Sequence, residues 1–282
     1  MVKSYEESRL PRNFHKSFKP ERFYINSMLK YAASGYFGNH QQISSSTGIP
    51  TGSSSGKVPA ILNYCKGMGL IKIVDSVNLA IKKPELTPYG RIVMLEDPFL
   101  KYSITQWLCH LNLCNPATGA DVWYHTFLNG ASTLGNSFPR DRLEAYLGAV
   151  YGTSKFNFIG PLIAMYEDDA SFQLCGALSS TRAVITRHLA PIHSELIRGY
   201  GAWLLQLCTE YFPDQKQISI EELNEVTGWI TLAGWEKTSV NKVLNLLEQK
   251  NIINVERHMT PWLIQPVENL ANAWKNIYYD II

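Results

Sequence analysis

The sequence predicts a mainly α-helical protein with small β wings, in which two winged helix-turn-helix-like modules are joined by a helical middle region. Three observations predict it. Residues 40–71, HQQISSSTGIPTGSSSGKVPAILNYCKGMGLI, read as a short helix, a Gly/Pro/Ser turn, an amphipathic helix and the start of a strand. That pattern returns near the C-terminus, where ISIEELNEVTGW answers HQQISSSTGI and VNKVLNLLEQKNII answers VPAILNYCKGMGLI. The stretch between them carries Leu, Ile and Trp at helical spacing.

Taken in order, residues 1–22 scatter Lys3, Arg9, Arg12, Lys16, Lys19 and Arg22 among prolines and aromatics without periodicity, and read as an arm. Residues 22–36 place Phe23, Ile25, Met28, Leu29 and Ala32 on one face, as a support helix would. In the next helix pair, Gly48-Ile49-Pro50 stops the first helix and Ser53, Ser54 and Ser55 offer caps to the second. Residues 72–83 and 86–95 then read as a two-stranded wing turning near Asp75 and Asn78. Residues 99–114 form a helix broken by Asn115-Pro116, Asp121 caps residues 122–129, and residues 140–150 form another helix. A short strand is expected at 171–174, a new helical region from Ser179-Ser180-Thr181, and a long helix from Pro191 to the break at Pro213. The second winged module spans 216–267. The organisation that follows is an arm and basic winged domain at 1–97, a helical middle at 98–190, and a long helix with a second, acidic winged domain at 191–282.

The net charge of +2 conceals a polarity. Residues 1–101 hold fourteen Lys/Arg against seven Asp/Glu, whereas residues 102–282 hold twelve against seventeen. Attraction to phosphate is local, so the N-terminal end suits double-stranded DNA and the second copy, with four basic and six acidic residues over 218–267, suits packing or protein contact. No run is long enough to span a membrane, the N-terminus lacks the apolar core of a secretory signal, and five cysteines without a C-x-x-C pair argue for reduced thiols. A cytoplasmic protein is expected.

Candidate chemistry is sparse. Gly52-Ser-Ser-Ser-Gly56-Lys57 has three residues between its glycines and Val58 after the lysine, so it is not a nucleotide-binding loop. Free backbone N–H groups, three hydroxyls and a lysine at a helix start would instead grip a DNA phosphate. Glu167-Asp168-Asp169 could hold a divalent ion but reads as a solvated loop, and Cys109 and Cys114 face different ways on their helix. His15, among Lys16, Lys19 and Arg22, is the single candidate for moving a proton beside phosphate.

Phe14-His15-Lys16-Ser17-Phe18, then Leu86-Thr87-Pro88-Tyr89-Gly90, Glu96-Asp97-Pro98-Phe99-Leu100 and Trp107-Leu108-Cys109-His110 follow the order of motifs in a bacterial family known as domain of unknown function 4007. The chain resembles that family over most of its length, most clearly over 14–130, although Phe14 and Lys16 stand where the family has Gly and Glu around its His. Members accompany DNA phosphorothioation genes. The resemblance implies a DNA-nicking endonuclease of an antiviral defence system, working beside a cysteine desulfurase, an ATPase and a reductase-like protein. Nicking would call on a divalent metal such as Mg²⁺, for which the sequence offers no ligand set. The expected assignment is His15 for catalysis, with Lys16, Lys19, Arg22, Ser53, Ser54, Ser55, Lys57, Lys72, Lys82 and Lys83 on DNA. The alternative is a non-enzymatic winged-helix DNA-binding adaptor or transcriptional regulator.

Overall fold

The computed structural model describes residues 9–52, 56–74, 77–258 and 260–281, so the expected caps Ser53, Ser54 and Ser55 lie outside the described residues. The chain is mostly helical with small antiparallel sheets, and it divides into two compact units, Met1–His188 and Leu189–Ile282.

In the first unit, α1 (Arg22–Ala33), α2 (His40–Thr47) and α3 (Lys57–Gly67) precede an antiparallel pair, β1 (Ile71–Val74) and β2 (Lys83–Leu86). Then come α4 (Pro88–Glu96), α5 (Ser103–Leu113) and α6 (Asp121–Tyr124), which continues as a π-helical turn, His125–Asn129. The unit closes with α7 (Ala131–Leu134), β3 (Ser137–Pro139), α8 (Arg140–Tyr151), α9 (Ile159–Glu167), β4 (Leu178–Thr181) and β5 (Val184–Arg187), the three strands pairing in the order β3-β5-β4. Its centre is α5, buried from Ile104 to Leu113. The buried Asp97 sets where that helix starts, its carboxylate accepting from Lys101 N, Tyr102 N and Thr105 Oγ1 at 2.7–2.9 Å.

The second unit wraps α10 (Ile197–Tyr211), which buries ten residues, with β6 (Ile218–Ser219), α11 (Ile220–Thr227), α12 (Trp229–Ala233), α13 (Lys237–Gln249), β7 (Ile253–Glu256), β8 (Leu263–Pro266) and α14 (Leu270–Lys275). Its sheet runs β6-β8-β7.

The internal echo in the sequence is an echo in geometry. Both α2 and α11 have eight residues and end on a left-handed glycine, Gly48 and Gly228, each with φ 72°. Just before it, Thr47 and Thr227 donate through Oγ1 to the carbonyl four residues back, at 2.7 Å in both copies. The same hydroxyls accept from Ile49 N and Trp229 N. After α3 and α13 the chain turns through left-handed Gly69 and Asn251 into β1 and β7. In the second copy, α12 lies between left-handed Gly228 and Gly234, and the run from Gly228 to Val240 is two residues longer than that from Gly48 to Val58.

Five expected features differ. Asp121 is the first residue of α6 and not its cap, a position held by Ala120, and its carboxylate is taken by Arg9. The strands expected at 72–83 and 86–95 are instead β1 at 71–74 and β2 at 83–86: Thr87 Oγ1 accepts from Gly90 N and Pro88 takes the first helical turn, so α4 starts there and the strand pair ends at Leu86. Residues 171–174 lead into a short 3-10 turn, Gln173–Cys175, closed by left-handed Gly176. Residues 179–181 belong to strand β4, whose partner β5 is brought back by left-handed Arg182 and Ala183. The long helix starts at Ile197 rather than Pro191, after a 3-10 turn at Ser194–Leu196. The five cysteines are free and buried.

Candidate nucleic-acid interface

From Arg9 onward the arm is a fixed seam. Arg9 donates through Nε to Asp121 Oδ1 at 3.0 Å and through Nη1 to Pro116 O, with its guanidinium 4.1 Å from the Tyr124 ring centre. Leu10 bridges Ala120, and Phe14 packs edge-on against Tyr64 of α3 and beside Trp123 of α6. Residues 14 and 15 are buried, while Lys16 and Ser17, both left-handed, turn the chain back to the surface. Ser17 N donates to His15 Nδ1 at 3.0 Å, so a buried imidazole braces an exposed, strained turn. Tyr64 Oη donates to Phe18 O, and Leu10 Cδ1 sits where a Cβ on Gly67 would go. Seven of the eleven α3 residues are buried as a result.

His15 is 1% exposed, no hydrogen-bond partner meets its Nε2, and burial lowers its pKa to about 4, with the Arg12 backbone pulling the other way. Beyond Trp123 the buried polar chain continues. Trp123 Nε1 donates to Tyr166 Oη at 3.0 Å, and that hydroxyl shares a hydrogen bond with His110 Nδ1 at 2.7 Å. Burial takes His110 down to about 3. Both imidazoles are neutral at pH 7 and covered by aromatic rings.

The expected DNA contacts divide into two groups. Lys19, Arg22 and Lys57 are engaged within the fold. Lys19 pairs with Asp168, and Arg22 donates to the carbonyls of Phe99 and Asp169. Lys57 pairs with Glu21 at 2.8 Å and lies against the rings of Tyr24 and Phe18. Lys16, Lys72, Lys82 and Lys83 sit nearer solvent. Lys72 and Lys83 flank Glu85 at 3.4 and 3.1 Å on the β1–β2 pair. Lys82 Nζ donates to Leu79 O at 2.7 Å. Lys82 and Lys16 both act electrostatically on His40, whose pKa is lowered first by burial and then by these two lysines. The fold therefore gathers Lys16, His40 and Lys82 from the arm, the start of α2 and the approach to β2. Sequence reasoning missed His40; its one signal was its place beside the capping residue Asn39. Among the described residues, no group of three His, Cys, Asp or Glu side chains is gathered as a metal requires, and Asp168 is committed to Lys19.

No family model matches the chain, and no curated protein matches it. Two solved structures do. A magnesium ion-bound SspB crystal structure matches with a TM-score of 0.72 and 15% identity, over 100% of this chain and 91% of that one. A second SspB crystal structure matches with a TM-score of 0.71 and 13% identity, over 95% and 88%. The chain has the SspB fold.

Within this SspB fold the charge is concentrated. Between Glu21 and Glu85 lie Arg22, Lys30, Lys57, Lys66, Lys72, Lys82 and Lys83, and Asp75 is the single acidic residue. Over that stretch seven cations stand against one internal carboxylate, with Lys57 paired to Glu21 and both Lys72 and Lys83 sharing Glu85. No helix among the described residues is long and apolar enough to cross a membrane.

Proposed function

We propose that this chain acts on double-stranded DNA in a phosphorothioation-linked antiviral defence system, as a nicking component working beside a cysteine desulfurase, an ATPase and a reductase-like protein. The SspB fold over the full chain is the observation that carries this reading. The two helix–turn–helix–strand modules are read as winged helices. Docking falls to the N-terminal one, through Lys16, Lys72, Lys82 and Lys83, while Lys19, Arg22 and Lys57 hold the arm that supports it. Because α3 is covered along most of its circumference, the arm turn, the start of α2 and the β1–β2 pair make the contact, which suits phosphate neutralisation better than base reading.

Relaxation of supercoiled plasmid to open circles by the pure protein, measured across Mg²⁺, Mn²⁺ and metal-free buffer, tests the nicking step. Among the described residues, no group of three His, Cys, Asp or Glu side chains is gathered to hold Mg²⁺. The covered position of His15 favours a second reading, a non-enzymatic DNA-binding adaptor or regulator. Binding without relaxation under every metal would support it. Undetectable binding to duplex DNA at low salt would sink both.

A further inference from the structure

The corner between α1 and α2 holds a feature that duplex docking leaves unused. Tyr36 and Phe37 are large aromatics left 59% and 65% exposed, beside an open cavity of about 500 Å³. Its other wall is the outer face of α2, with Gln41, Gln42, Ser45 and Ser46. This corner is held rigidly. Tyr36 rests edge-on against the buried Tyr31 at 5.7 Å. Gly38 exchanges both backbone hydrogen bonds with Lys82, at 2.8 and 3.1 Å, which ties the aromatic pair to the strand approach. Gln42 Oε1 is fixed on Asn39 N in a capping box, which leaves its amide N–H groups at the surface.

We propose that this corner holds an unstacked nucleobase of a single-stranded stretch of DNA. Exposed aromatics in a positive, acid-poor surround are how proteins take up single strands, because every base presents a π-face and a phosphate. The amides and hydroxyls of α2 supply donors and acceptors for a base edge, which an apolar peptide side chain would not need. The backbone of Lys82 pairs with Gly38, the residue after Phe37, so a cationic residue borders the corner. Such a strand is what a nicked or locally opened duplex exposes, so the inference rests on the DNA-acting reading above.

The test uses a labelled duplex carrying a short gap with 2-aminopurine in it, and the same duplex without the gap. Wild-type protein should bind the gapped duplex more tightly and quench the 2-aminopurine. Phe37→Ala, at an exposed position, should weaken gapped binding about tenfold and abolish the quenching, with ungapped binding unchanged. Phe37→Trp should restore both. Equal affinity of wild type for the two duplexes, or no effect of Phe37→Ala on the gapped one, overturns the base pocket while leaving duplex docking standing, and would turn the aromatic pair over to a protein partner. Failure of wild type to bind either duplex overturns the DNA-acting reading and the pocket with it.

Discussion

Lys57 separates a structural cation from a DNA-contacting one. Its ammonium lies 2.8 Å from Glu21, with side chains only 16% and 25% exposed, against the faces of Tyr24 and Phe18. At an effective dielectric of about 20, two unit charges at that distance attract by roughly 6 kcal/mol before desolvation and side-chain ordering are subtracted. Exposed pairs retain about 0.2–1 kcal/mol of such attraction, and breaking a fully buried pair costs about 3–5. This pair lies between those limits. Lys57→Met, which keeps the stem against the rings but removes the charge, should therefore destabilise the protein by about 2 kcal/mol. For a unit of this size that is a fall in Tm of roughly 4–8 °C. Glu21→Gln should do the same, and the double variant should cost less than the sum of the two. Differential scanning fluorimetry and urea titration give the stability, and anisotropy with a labelled duplex well below Tm gives the affinity, which should change less than twofold. An unchanged Tm with a tenfold loss of duplex affinity would refute the reasoning and return Lys57 to the DNA surface.

Three further outcomes follow from the same geometry. Lys16→Ala and Lys82→Ala should each weaken duplex binding across sequences and lower the slope of log K against log[salt] by about one, with Tm unchanged; a flat salt slope would remove them from the interface. His15 and His110 have folded pKa values of about 4 and 3, below the unfolded 6.5, so the unfolded chain takes up protons first; stability is full above about pH 6.5 and falls as pH drops. By pH 5 each should have cost about 2 kcal/mol, read as a shift in urea midpoint, and a His15→Phe variant should halve the fall; a midpoint flat from pH 7 to 5 would contradict neutral burial. Gly90→Ala would place a Cβ 1.8 Å from Leu70 O, so α4 must shift off the β1–β2 module, and a loss of more than about 3 kcal/mol is expected; a fully stable Gly90→Ala would show that the two are not packed as described.

The helix–turn–helix order and its repetition were legible because they rest on local chemistry. Thr47-Gly48 and Thr227-Gly228 write the same helix stop, and the apolar positions of α3 and α13 follow one period. Two errors share a cause. At 86–95 a capping threonine followed by proline makes a helix where a strand is expected, and at 179–181 a left-handed turn at Arg182 and Ala183 makes a strand where a helix is expected. The site was less legible because its decisive contacts are long-range. Nothing near Lys19 announces Asp168, and nothing near His15 announces that Trp123 and Tyr64 will close over its neighbour Phe14. Local charge shows which lysines exist and leaves open which are already spoken for.

The arm also bears on the order in which a ribosome can complete this molecule. Leu10 bonds Gly119 and Asp121, Lys19 pairs with Asp168, Arg22 N donates to Ala170 O, and Ser171 Oγ donates to Pro20 O. The arm from Arg9 to Arg22 thus completes its contacts only after residues 116–171 have emerged. Until then Phe14 has Tyr64 but not Trp123 to cover it, on a nascent chain whose cationic stretch is already finished. The early intermediate is accordingly both sticky and positively charged, a combination that favours premature capture by ribosomal RNA or a chaperone. Slowed elongation before residue 116 should therefore lower the soluble yield, whereas a pause after residue 188 should be harmless to the first unit.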